Sequence, residues 1–139
     1  LRDGTWVLHH DPVLGRVVTH APNGRAAIVA PETLTSAQWS QATLRDRAGR
    51  PTDLPAPRLD AALGAAYQHA SPRRQLHLEI KSRVGCDRLA SLNDQVASVL
   101  PTGAWMFSAF SMPSLRCLRE ADQDVYLGLL IGPETESIK

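Results

Sequence analysis

The six residues Leu76-His77-Leu78-Glu79-Ile80-Lys81 constrain the fold more than any other stretch of this chain. Apolar and polar side chains alternate without a break, which is the period of a β-strand. Leu76, Leu78 and Ile80 form one row, and His77, Glu79 and Lys81 form the other. An uninterrupted aliphatic row packs beneath helices, and the flanking sequence supplies them. Before it, Leu59, Ala62, Leu63, Ala66 and Tyr67 recur on one side of a helical pattern from Leu59 to His69, closed by Ser71-Pro72. After it comes a helix over roughly Arg88 to Leu100, stopped by Pro101 and Gly103. Trp105-Met106-Phe107 then reads as a strand, Pro113 to Ala121 as a helix, and Val125 to Leu130 as a further strand.

This alternation has the spacing of parallel βα units and predicts an α/β fold. Thr5-Trp6-Val7-Leu8-His9, between Gly4 and Asp11-Pro12, is the natural first strand and brings the expectation to about four parallel strands. Half of an eight-stranded barrel and a piece of a doubly wound sheet both accommodate that pattern. Open edges on such a piece would expose unpaired backbone, which favours a larger domain. Residues 15 to 55 show weak periodicity among several glycines and prolines. They read as an irregular excursion, with a helical turn around Ser36 to Leu44 that Ser36 could cap.

Length and charge narrow the function. A chain of 139 residues is one domain at most. Fifteen Lys and Arg against fourteen Asp and Glu leave a formal charge of +1, which gives no general attraction for nucleic acid. No apolar run reaches the roughly 18 residues that mark a membrane-spanning helix. Cys86 and Cys117 lack any Cys-x-x-Cys spacing and read as two reduced structural cysteines. Localisation is left open, with the cytoplasm favoured, since any signal segment would lie upstream of Leu1.

At the end of this strand, which runs from Leu76 to Ile80, a carboxylate and an ammonium two residues apart share one side near the C-terminal end, where barrel sites form. Glu79 can give oxygen to a hard cation, and Lys81 can neutralise phosphate oxygens. A solvated edge strand carrying a fortuitous ion pair would show the same residues. His9 and His10, adjacent in an extended run, should point to opposite sides and do not suit a chelating pair. His10, at the end of that run, is placed for acid–base work, since histidine exchanges protons near neutral pH. A structural role fits it as well. Asp11 could orient an imidazole, cap a turn or face water. Ser108 lies in no Gly-x-Ser-x-Gly elbow, which argues against a serine hydrolase. Phe110 suits either an apolar wall beside a substrate or the core.

Together these residues resemble the glycerophosphodiester phosphodiesterases. Asp3-Gly4, then His10-Asp11 with Leu14 and Arg16 beyond, is similar to that family's DG…HD…L.R motif. Ala56-Pro57-Arg58-Leu59-Asp60-Ala61-Ala62-Leu63 resembles its proline-led helix start, and Leu78-Glu79-Ile80-Lys81 its EIK strand end. Phe107-Ser108-Ala109-Phe110 with Leu115 is similar to its SSF segment, and Gly128-Leu129-Leu130 completes the series.

The resemblance implies a TIM-type (β/α)8 barrel, of which residues 1–139 are the central portion without N-terminal and C-terminal elements. It implies hydrolysis of a small-molecule glycerophosphodiester or lysophospholipid-like substrate to glycerol 3-phosphate and an alcohol, using a divalent metal, Mg²⁺ or Ca²⁺. His10 would be a catalytic histidine, Glu79 a metal ligand, Lys81 the catalytic lysine that meets the phosphate, and Phe110 a substrate wall. The family's opening His-Arg segment, its Glu-Asn-Thr segment and its Glu-x-Asp pair have no counterpart here, and Ala109 replaces a serine. The chain by itself is therefore expected to be catalytically incomplete and prone to self-association. A truncated or degenerate non-catalytic barrel homologue and a related lipid phosphodiesterase are the alternatives.

Overall fold

The computed structural model describes residues 1–133. They fall into two compact units, Leu1–Ala62 and a second that begins at Leu63.

The first unit is built around a small antiparallel sheet: β1 (Val18–Thr19), β2 (Thr43–Arg45) and β3 (Pro51–Pro55), in that spatial order. Val18 pairs with Leu44 and Thr43 with Pro55. The β2–β3 connection is set by Asp46, whose Oδ1 accepts the backbone N–H groups of Ala48 and Arg50, and by Gly49 at φ +80°. A side chain would disfavour that left-handed turn. The core beneath the sheet gathers Leu14, Val18, Leu34, Trp39, Ala42 and Ala56. Helix α1 (Ser36–Trp39) delivers Trp39 to this core, fully buried. Its cap is Thr35, one residue before the expected Ser36. Thr35 Oγ1 accepts from Gln38 N while Gln38 Oε1 accepts from Thr35 N, a reciprocal capping box.

The expected strand at Thr5–His9 is corrected. Val7 makes one isolated antiparallel bridge, to Arg58, flanked by Leu8 N–H to Pro57 C=O and Leu59 N–H to Trp6 C=O. The ladder stops there because Pro57 has no N–H to give and Leu59 already begins helix α2 (Leu59–Tyr67).

The second unit holds the parallel architecture that the alternation predicts. Its sheet has the order β4 (Leu76–Ile80), β5 (Trp105–Ala109), β6 (Tyr126–Leu129), every pair parallel. The described residues thus contain three parallel strands, not about four, and no closed barrel. Crossovers run through α3 (Cys86–Ala97) and α4 (Met112–Ala121). Leu89, Leu92, Asn93 and Val96 make the buried stripe of α3, at the spacing of one helical face. Asn93 is satisfied inside it: Trp105 Nε1 donates to its Oδ1 at 3.2 Å, and its Nδ2 donates to Asp122 Oδ2 at 3.1 Å. Ser111 caps α4, its side chain accepting from Ser114 N, with Pro113 in the first turn where a missing N–H costs nothing.

The expectation of two reduced cysteines is also corrected. The packing of α3 on α4 brings the Cα atoms of Cys86 and Cys117 to 5.0 Å, and the two form a disulfide. That separation lies inside the roughly 4.4–6.8 Å over which a disulfide closes.

Candidate active site

Two groups of polar side chains correspond to the residues singled out in the sequence, one in each unit.

In the second unit, in-register pairing of the parallel strands puts His77 beside Met106 and Tyr126, and Glu79 beside Ser108 and Gly128. Paired residues point to the same side, so these form one face of the sheet. The opposite face carries Trp105, Phe107 and Ala109, all buried. Glu79 and Lys81 occupy the C-terminal end of β4, and Lys81 Nζ donates to Glu79 Oε1 at 3.0 Å. Their side chains are 32% and 38% exposed, enough for a ligand to reach both. One turn of the pleat back, His77 Nε2 lies 2.7 Å from Ser108 Oγ, and Ser108 is buried. This cross-strand bond was not anticipated. The alternation in β4 places His77 on the polar row, but its partner depends on the β4–β5 register. Phe110 follows β5 directly and is half-buried; a Cβ on Gly132 would come within 3.2 Å of its Cε1. A cavity of about 290 Å³ opens nearby, lined by Arg83, Cys86, Ser111 and Cys117 among others, and Glu79, Lys81 and Phe110 do not line it.

In the first unit, His10 sits on an exposed loop. Its Nδ1 lies 2.9 Å from Asp11 Oδ1. Arg16 grips the same carboxylate with both ends of its fork, Nε to Oδ2 at 2.7 Å and Nη2 to Oδ1 at 2.7 Å. The Arg16 hydrogen bonds, followed by the one from His10, hold the Asp11 carboxyl well below the usual carboxylate range, and Asp11 in turn raises Arg16. His9 has other partners: its Nε2 is 3.1 Å from Val13 O and its ring packs edge-on against Trp39. Asp3 is structural. Its Oδ2 accepts Ser36 N at 2.5 Å and its Oδ1 accepts Thr5 N at 3.2 Å, with the Ser36 bond the main cause of its strongly lowered pKa. Gly4, at φ +92°, makes the turn that lets Asp3 do this.

The fold has solved counterparts. A glycerophosphoryl diester phosphodiesterase from Parabacteroides distasonis ATCC 8503 superposes with a TM-score of 0.67 at 22% identity, over 96% of this chain and 42% of its own. A protein from Silicibacter pomeroyi DSS-3, provisionally assigned the same activity, superposes with a TM-score of 0.77 at 19% identity, over 96% of this chain and 53% of its own. This chain folds like part of a glycerophosphoryl diester phosphodiesterase. It spans about half the length of those structures. No protein-family model matches the chain, and no curated protein matches it.

A divalent cation needs more than these residues supply. Among the described residues, no three His, Cys, Asp or Glu side chains are grouped to hold a metal ion. Glu79 offers a single carboxylate, one oxygen of which is already taken by Lys81. Hard cations take about six or more oxygen ligands, so this donor set does not by itself make a metal centre.

Proposed function

We propose that this chain belongs to a phosphoric diester hydrolase that acts on glycerophosphodiesters and releases glycerol 3-phosphate and an alcohol. The observation that carries the reading is the Glu79–Lys81 pair, exposed at the C-terminal end of a parallel strand. That is where (β/α) barrels place their chemistry. The likeness in fold to glycerophosphoryl diester phosphodiesterases over 96% of the chain supports it.

In this reading the Lys81 ammonium neutralises the non-bridging phosphate oxygens and lowers the repulsion met by an attacking hydroxyl. His10 transfers a proton at its exposed ring. Phe110 borders the substrate. Among the described residues Glu79 is the carboxylate that would join a Mg²⁺ or Ca²⁺ shell, and the metal would polarise the phosphodiester. The substrate class extends to lysophospholipid-like diesters, which present the same phosphodiester to Lys81.

A second reading, a barrel homologue without catalysis, is favoured by the lack of a grouped metal-ligand set among the described residues. One experiment separates the two. The natural protein that contains these residues is incubated with a panel of glycerophosphodiesters and followed by phosphorus NMR. Conversion of diester to glycerol 3-phosphate, stopped by EDTA and restored by Mg²⁺ or Ca²⁺, is the expected result. An unchanged diester signal across the panel would leave the non-catalytic reading standing.

A further inference from the structure

Arg16 donates two hydrogen bonds to Asp11, and Asp11 meets the ring of His10. We propose that Arg16 is a positioning residue that acts through Asp11 to fix which nitrogen of His10 transfers a proton. The inference rests on the proton-transfer role given to His10 above, and it goes further by naming the atom and the residue that controls it.

The argument runs from the carboxylate outward. Asp11 is ionised near neutral pH like an ordinary aspartate, and the Arg16 fork, then His10, favours that form further. An ionised carboxylate only accepts hydrogen bonds. The contact between His10 Nδ1 and Asp11 Oδ1 at 2.9 Å is then an Nδ1–H donation. A neutral imidazole carries one proton, so the lone pair is left on Nε2. That atom belongs to a side chain 76% exposed, while the Asp11 side chain is only 17% exposed. Nε2 takes a proton from solvent-side chemistry and later returns it, and Nδ1 keeps its own throughout.

Arg16 supplies what a lone Asp–His pair would lack. The three groups lie on one exposed loop, and an unanchored aspartate there has free rotation about its side-chain bonds. The planar fork engages both carboxylate oxygens at 2.7 Å and fixes the plane of the carboxylate. Oδ1 then faces Nδ1. A lysine at this position gives a point charge and no fork, so it would restore the charge and not the orientation.

The test reads the ring directly. Long-range proton–nitrogen correlation spectra of His10, assigned with His10→Gln and recorded where the ring is neutral, report which nitrogen holds the proton. The wild-type chain is expected to show the Nδ1–H form dominant. Arg16→Gln and Asp11→Asn should both shift the ring toward Nε2–H, and Arg16→Lys should fall between Arg16→Gln and the wild type. Arg16 is 65% exposed, and the amide spectrum of each variant reports whether its fold is retained. In the natural protein, Arg16→Gln should lower turnover roughly 10- to 100-fold, by analogy with the loss of groups that orient metal-bound imidazoles. A His10 ring unchanged in folded Arg16→Gln would overturn the inference, whatever the turnover. Absent hydrolysis by the wild-type natural protein, alongside a ring that shifts in Arg16→Gln, would instead overturn the diesterase reading and leave the control of His10 by Arg16 standing.

Discussion

Asp3 and Asp11 are held ionised by different partners, and both make folding sensitive to acid. Ser36 and Thr5 backbone N–H groups hold Asp3, while the Arg16 fork and the His10 ring hold Asp11. In each case the folded-state pKa lies below the unfolded value of about 3.9. As pH falls, the unfolded chain therefore binds these protons first, and the linkage favours unfolding. The stability they contribute is present above the unfolded pKa and is lost as pH drops toward the depressed folded values. Urea midpoints should accordingly hold level from neutral pH to about pH 5 and decline below about pH 4. Asp3→Asn should lower the midpoint at neutral pH and flatten the acid decline. An acid decline of the same depth in Asp3→Asn would show that Asp3 does not contribute to it. The Asp-Gly and His-Asp pairs were both visible in the sequence. Their division of labour was not, because it depends on contacts with Ser36, 33 residues away, and with Arg16 across the loop.

At the scale of elements, the disulfide and the Trp39 core are the two features most open to test. Cys86 starts α3 and Cys117 lies within α4, with a sequence separation of 31. Closing a loop of that length stabilises the folded chain by about 3–4 kcal/mol in the chain-entropy account. Cys86→Ala with Cys117→Ala should lower the unfolding free energy by about that amount, read by chemical denaturation under non-reducing conditions. A double variant as stable as the wild type would mean the bond adds nothing to the α3–α4 packing. Trp39→Ala removes a fully buried indole from the first unit and should cost about 3–5 kcal/mol. A loss below about 1 kcal/mol would show that this core is loosely packed. From Leu59 onward the elements were legible, because parallel strands and their crossover helices carry strong local periods. The β4 bounds agree fully, and α3 and α4 differ from expectation by a turn or less. The antiparallel sheet of residues 18–55 was not legible. Its first strand has two residues, its last begins and ends with proline, and the pairing of Val18 with Leu44 leaves no local trace. The disulfide was hidden for the same reason: helix packing, not Cys spacing, brings its ends together.

For the molecule as a whole, the fold resembles about half of the solved glycerophosphoryl diester phosphodiesterases, and the proposed function assigns the phosphodiester to its polar strand face. Glu79 and Lys81 lie opposite the packing face, so replacing either should change chemistry more than folding. Glu79→Gln should weaken Mg²⁺ or Ca²⁺ binding in calorimetric titration of the natural protein while leaving the apo melting temperature within a few degrees. Equal metal affinity in that variant would remove Glu79 from the ligand set. The most direct measurement is the rate of glycerol 3-phosphate release by the natural protein and by Lys81→Met, at matched melting temperature. Removal of one preorganised charge from developing phosphate oxygens lowers kcat/KM about 100- to 1,000-fold. That fall, with the fold intact, is the predicted result; hydrolysis by Lys81→Met at the wild-type rate would contradict the account.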